Sequence, residues 1–95
     1  MNQAVPSPAE ALAIADALAH TLRATAAERD RRGGTAWDER AAIRASGLPH
    51  AAVPVAHGGW GLDWPTLFAL LRRIVAADAA LGHVLGFHYF GVVSA

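Results

Sequence analysis

Cysteine and lysine are both missing from this 95-residue chain, and methionine and tyrosine occur once each. Without cysteine there is no disulfide framework and no thiolate metal site. Eight arginines carry all the basic charge against eight acids, and the formal net charge is +0 with histidine neutral. That balance offers no electrostatic attraction to nucleic acid or to an anionic membrane surface. A long apolar run is lacking at the start, where Glu10 and Asp16 interrupt the sequence and no signal peptide is indicated. The run Leu81 to Ala95 has no formally charged side chain, yet it is short for a membrane span and rich in Gly and His. The expectation is a cytoplasmic protein with no membrane or nucleic-acid partner.

Metal chemistry is also poorly served. No two of the histidines (His20, His50, His57, His83 and His88) have the i,i+4 spacing that lets one helix hold an ion. No metal is expected. Gly-x-Gly-x-x-Gly is absent, and no Lys-Ser/Thr follows Gly58-Gly59-Trp60-Gly61. That glycine cluster reads as a kink where backbone approaches backbone, not as a phosphate cradle. Ser7, Ser46 and Ser94 show no arrangement with a His and an acid that would make a nucleophile.

What is present is helix. The length suffices for one small domain, which buries only about 60–65% of its unfolded surface. Residues 1–6 read as a disordered tail. Ser7-Pro8-Ala9-Glu10 is a capping-box start, and Ala11, Ile14, Ala15, Leu18 and Leu22 form an apolar stripe at helical spacing. This first helix is expected to end at about Arg32, before Gly33-Gly34. The charged run Glu28 to Arg32 reads as its solvated end. A second helix is expected over Asp38–Ser46, with Trp37 stapling onto Ala41 or Ala42 and Gly47 as its stop. Leu48 to Pro54 reads as extended loop.

The third helix is expected from Pro65 to about Asp78, with Trp64, Leu67, Phe68, Leu71, Ile74 and Val75 as its apolar face. A break at Asp78-Ala79-Ala80 leads to a fourth helix still running at the end of the sequence. It carries two apolar faces, Leu81, Val84, Leu85, His88 and Val92 on one and His83, Phe87, Phe90 and Ser94 on the other. A helix apolar all round is covered on both sides. His83 therefore reads either as a hydrogen-bonded core residue or as a donor lining a pocket.

The segments Ala24-Thr25-Ala26-Ala27-Glu28-Arg29-Asp30-Arg31-Arg32-Gly33-Gly34, Gly58-Gly59-Trp60-Gly61, Asp63-Trp64-Pro65 and Leu81-Gly82-His83, in this order, closely resemble an acyl-CoA dehydrogenase N-terminal helical domain. The nearest branch is the reduced-flavin-dependent monooxygenases of the dibenzothiophene and sulfur-acquisition type. The resemblance implies an all-α fold of about four helices with the last one truncated. Residues 7–95 would be an incomplete domain, lacking the middle β-barrel and C-terminal helical bundle of a much longer, homotetrameric subunit. It implies an oxidoreductase acting on an organosulfur or similar apolar small molecule. The cofactor would be reduced FMN from a separate flavin reductase, or FAD if the complete protein is an acyl-CoA dehydrogenase. It carries a catalytic role onto His83, with Phe87, Phe90 and Trp60 as pocket wall. Phe87 stands where the family often has Tyr. No flavin-binding residue is assigned. Residues 81–95 would contact the rest of the enzyme or another subunit. The isolated chain is expected to be inactive and to hold no flavin tightly. A non-catalytic helical interaction module is the reading from another class.

Overall fold

The capping box at Ser7 forms as its residue types require. Ser7 Oγ accepts from the Glu10 backbone N–H (3.1 Å), and Glu10 Oε1 accepts from the Ser7 N–H (2.9 Å). Helix α1 (Pro8–Arg32) runs from that cap to Gly33, whose N–H donates to the Arg29 carbonyl and whose φ of 69° favours glycine. In the computed structural model, which describes residues 5–94, α1 sets the long dimension. Twenty-five residues of helix span roughly 38 Å, against a longest extent of 41 Å. The expected tail over residues 1–6 falls largely on residues 1–4, outside those described.

Helix α2 (Trp37–Ser46) begins one residue earlier than the sequence suggests, and this overturns the expected staple. Trp37 is the first helical residue, not the one before the cap. Its side chain is 69% exposed, with the Arg40 guanidinium over its ring at 5.8 Å. Gly47 ends α2 in the left-handed region at φ 82°.

The expected extended loop over Leu48–Pro54 is wound instead. Leu48–His50 and Val55–His57 are single 3₁₀ turns, each preceded or opened by a proline. The segment then folds back along itself: Trp60 N–H donates to His50 O, Gly61 N–H to Val53 O, and Leu62 N–H to Ala51 O, all within 2.9–3.0 Å. A Cβ at Gly59 would land on the Val53 carbonyl, so glycine is required there by contact. The kink is structural.

Helix α3 (Trp64–Ala77) is capped by Asp63, whose Oδ1 accepts from the Thr66 N–H at 3.1 Å. Its buried side is Leu67, Leu70, Ile74 and Ala77. The expected stripe is corrected by this rotation: Phe68 and Val75 are exposed, and Leu70 takes their place against α1. Helix α4 (Ala79–Ser94) follows after Asp78 alone, so the expected three-residue break is one residue long. Asp78 Oδ1 accepts from the Leu81 N–H at 3.0 Å and starts α4 as it ends α3.

The core lies where α3 packs on α1 and α4 packs on α3. Ala11, Ala15, Leu18 and Leu22 of α1 meet Leu67, Leu70 and Ile74 of α3, and Leu81, Leu85 and Tyr89 of α4 close the third side. Gly82 allows the close approach of α4 to α3, since a Cβ there would stand 2.5 Å from Val75 Cγ2 and 2.9 Å from Val75 Cα. Among the described residues there is no strand, and no helix is long and apolar enough to cross a membrane.

Candidate functional site

Two sides of α4 have different fates. Leu81, Leu85, Tyr89 and Val92 turn inward, where Tyr89 is fully buried and its hydroxyl donates to Leu48 O at 2.7 Å. Burial pushes the Tyr89 phenol well above its ordinary range. The expected inner face is corrected at its rim: Val84 is 55% exposed, and His88 is exposed, with Nε2–H donating to Pro49 O at 2.6 Å. Apolar spacing alone passes over Tyr89, because its polar tip hides a ring that fills the core.

His83, Phe87 and Phe90 lie on the opposite side of α4, all exposed, with Phe87 at 66% and Phe90 at 53%. His83 meets Phe87 edge-on at 4.6 Å between ring centroids. His83 is therefore not a core histidine within this chain. Phe90 lies against Trp64 at 5.3 Å, and Trp64 stacks on Phe68 at 5.2 Å with 26° between planes. The aromatic surface thus extends from α4 onto α3. The i,i+4 spacing of Trp64 and Phe68 was the available signal, and it was spent on the wrong side of α3. Trp60 does not join this surface. Its ring covers the turn at Gly47, where a Cβ would meet Trp60 Cζ2 at 2.8 Å, and it packs on the core.

Sequence reasoning also passed over Arg29. It is not part of a solvated helix end: it is 8% exposed and joins three elements. Its Nη2–H donates to Asp78 Oδ2 (2.5 Å) and to Leu22 O (3.0 Å), its Nε–H to Asp78 Oδ2 (3.2 Å), and its Nη1 lies 3.4 Å from Glu39 and also bonds Thr25 Oγ1. Burial pushes the Asp78 carboxyl up. The Arg29 hydrogen bond, the Leu81 N–H and the Arg29 charge outweigh it and hold that carboxyl below its ordinary value. The available signal was phase: Arg29 lies seven residues after Leu22 on the stripe of Ala11, Ala15, Leu18 and Leu22, whereas Arg31 and Arg32 fall off it.

The hollows of the surface are open. One, about 190 Å³, lies between α2 and α4, with Ile43, Val84 and Leu85 among its apolar lining and Arg40, Arg44 and His88 at its edge. It is smaller than the ~300–1,000 Å³ of ordinary cofactor sites. A wider trough of about 780 Å³ runs past Gly33-Gly34, Arg29 and Asp78. Of the charged groups along it, Arg29 and Asp78 are paired with each other. Among the described residues no group of three His, Asp or Glu could hold a metal ion. The chain by itself therefore does not fit a flavin. What it offers is one wall, the aromatic side of α3 and α4 with a single imidazole in it.

A four-helix unit with this glycine-kinked connection is one part of a known architecture. Residues 10–94 match the acyl-CoA dehydrogenase N-terminal domain, and the chain belongs to that family. Within it, the chain is 54% identical over 77 residues to a dibenzothiophene monooxygenase of Rhodococcus erythropolis, covering 81% of this chain and 18% of that one. It is 47% identical over 90 residues to the probable FMNH2-dependent monooxygenase SfnC of Pseudomonas putida, covering 94% of this chain and 23% of that one. The crystal structure of dibenzothiophene monooxygenase TdsC from Paenibacillus sp. A11-2, solved also with FMN and indole, superposes with a TM-score of 0.80 at 47% identity, over 83% of this chain and 20% of that one. The chain thus spans about a fifth of the length of these relatives.

Proposed function

We propose that this chain is the N-terminal, pocket-walling domain of an FMNH2-dependent monooxygenase acting on an organosulfur or similar apolar compound. The observation that carries this reading is the outward side of α4. In a chain 54% identical to a dibenzothiophene monooxygenase, an exposed His83 sits among Phe87 and Phe90 with no intramolecular hydrogen-bond partner among the described residues. A soluble domain seldom leaves such an aromatic surface to water, and one rimmed by polar groups marks a ligand or interface site.

In the complete protein, a β-barrel and a helical bundle would cover this surface and hold the cofactor, in a homotetramer supplied with reduced FMN by a cytoplasmic flavin reductase. Bound FMNH2 supplies oxygen activation. The residues of this chain supply shape, exclusion of water and one donor: the Phe87 and Phe90 rings face an apolar substrate, and His83 presents an imidazole N–H to a polar atom at its edge.

A chimera tests this, with the chain replacing the matching segment of Paenibacillus TdsC and assayed with photoreduced FMN, O₂ and dibenzothiophene. Oxygenated product is expected by mass spectrometry, and His83→Ala in the chimera is expected to lower turnover at least tenfold at an unchanged melting temperature. A chimera that binds FMN but oxygenates nothing sinks the reading. So does a His83→Ala variant as active as its parent.

A further inference from the structure

The flank of α4 that carries Val84 and His88 is not the one that carries His83, Phe87 and Phe90. It faces α2 across the hollow of about 190 Å³. The floor of that hollow is apolar: Ile43 of α2 and Leu81 and Leu85 of α4, all of them buried core residues. Its rim is cationic. Arg40 and Arg44 stand at i,i+4 spacing on α2 and share that edge. Both are exposed, and among the described residues neither forms an ion pair. Arg40 rests over the Trp37 ring, which steadies the guanidinium without neutralising it. No acidic side chain lines the hollow. One end is closed by a bond between elements, where His88 Nε2–H donates to Pro49 O at 2.6 Å and fastens α4 to the turn after α2.

We propose that this hollow binds a small organic carboxylate with an apolar body, its carboxylate at Arg40 and Arg44 and its hydrocarbon part on Ile43, Leu81 and Leu85. The class of ligand follows from the lining. The floor gains from covering hydrocarbon and gains nothing from an inorganic ion. The guanidinia at the rim hold a carboxylate by charge-assisted hydrogen bonds, and their planar forks suit its two oxygens. Like charges at i,i+4 spacing also destabilise a helix, and an anion between them relieves that repulsion. A cation would add to it, and an alcohol would leave it in place. The volume limits the size: 190 Å³ is about six waters' worth at ~30 Å³ each, room for a short chain of carbons. The hollow is open and its arginines are solvated, so affinity is modest, in the millimolar range. The site is separate from the aromatic side of α4 and stands whether or not the enzymatic reading holds.

Backbone amide shifts of the isotope-labelled chain test it, at fixed ionic strength and neutral pH, with hexanoate, acetate and hexan-1-ol as probes. Circular dichroism confirms helix content in each variant. Hexanoate is expected to move the amides around Ile43, Arg44, Val84 and Leu85 and to saturate. It should bind about tenfold more tightly than acetate or hexan-1-ol, each of which lacks one half of the match. Arg44→Gln should weaken hexanoate about three- to tenfold. Val84→Asp changes an exposed rim residue that the core does not use, and the carboxylate it sets against the ligand should abolish binding. Shifts that never saturate with hexanoate overturn the proposal. Acetate matching hexanoate would leave an adventitious ion only, and hexan-1-ol matching it would leave an unselective apolar patch; either result overturns it. So does hexanoate binding that Val84→Asp leaves unchanged, which would place the ligand elsewhere. Amides of the hollow that move with chain concentration alone would give it to a second copy of the chain, and that too overturns it.

Discussion

Arg29 and Asp78 stand 49 residues apart in the sequence and 2.5 Å apart in the fold. Their contact ties the last turn of α1 to the single residue that separates α3 from α4. Glu39 of α2 lies 3.4 Å from the same guanidinium, so every helix is held at one point.

Arg29→Ala is expected to cost about 3 kcal/mol, since it strands the Asp78 and Glu39 carboxylates, both mostly buried, without a counter-charge. That is a large share of the ~5–15 kcal/mol available to a small domain. Urea denaturation at neutral pH checks it. Arg29→Lys should recover only part of the loss, because an ammonium cannot reach Asp78, Glu39 and the Leu22 carbonyl together.

The acid limb of stability follows from the same carboxyl. Asp78 is held below its ordinary value of 3.8 in the folded chain. A depressed carboxyl contributes stability that is complete above the unfolded value and is lost as pH falls through the folded one. Stability should therefore drop below about pH 4. Asp78→Asn should be less stable at pH 7 and flatter in that range, as thermal melts across pH 2 to 7 would show. An equally steep acid limb in the variant would assign the effect to other carboxylates.

Tyr89 is the one tyrosine of the chain, and its phenol is shifted upward by burial. An upward shift contributes stability that is complete below the unfolded value of about 10 and is lost as pH rises toward the folded one. Phenolate absorbance should thus appear together with loss of helix, not before it. Tyr89→Phe should cost about 1–2 kcal/mol, because the buried Leu48 carbonyl loses its donor.

Gly82→Ala is expected to destabilise by about 1–3 kcal/mol through overpacking. The new methyl would stand 2.9 Å from the Val75 Cα, which cannot swing aside as a side-chain tip does. Gly86→Ala, where a Cβ would meet only Leu71 methyls at 3.8 Å or more, should be neutral or mildly stabilising. Equal effects at the two positions would refute the close approach of α3 and α4 at Gly82.

Much of the fold was legible because it is written in local chemistry. Ser7, Pro8 and Glu10 announce α1, and Gly33 and Gly47 stop helices at positive φ. Asp63, by contrast, caps α3 two residues ahead of the Pro65 that drew the eye. What resisted was long-range. Nothing near Arg29 says that Asp78 lies beside it, and nothing near Tyr89 says that Leu48 needs a donor. The rotation of α3 was ambiguous because that helix is apolar on more than one side, so Phe68 and Leu70 could exchange roles until α1 was in place. Of the candidate site, His83, Phe87 and Phe90 were rightly grouped by helical spacing. Trp60 was grouped with them only through the resemblance, and the turn at Gly47 claims it.

The corners at Gly33-Gly34 and at Asp78 differ in what a change of length would do. At Gly33-Gly34 a Cβ would meet nothing within 4 Å at either glycine, so an inserted residue merely lengthens a bend. At Asp78 one residue ends α3 with its backbone, starts α4 with Oδ1 and anchors α1 with Oδ2. Inserting a residue after it would turn α4 by about 100° and carry Leu81, Leu85 and Tyr89 off the core together. Relatives that share this packing should therefore vary in length at the first corner and keep the second to a single residue.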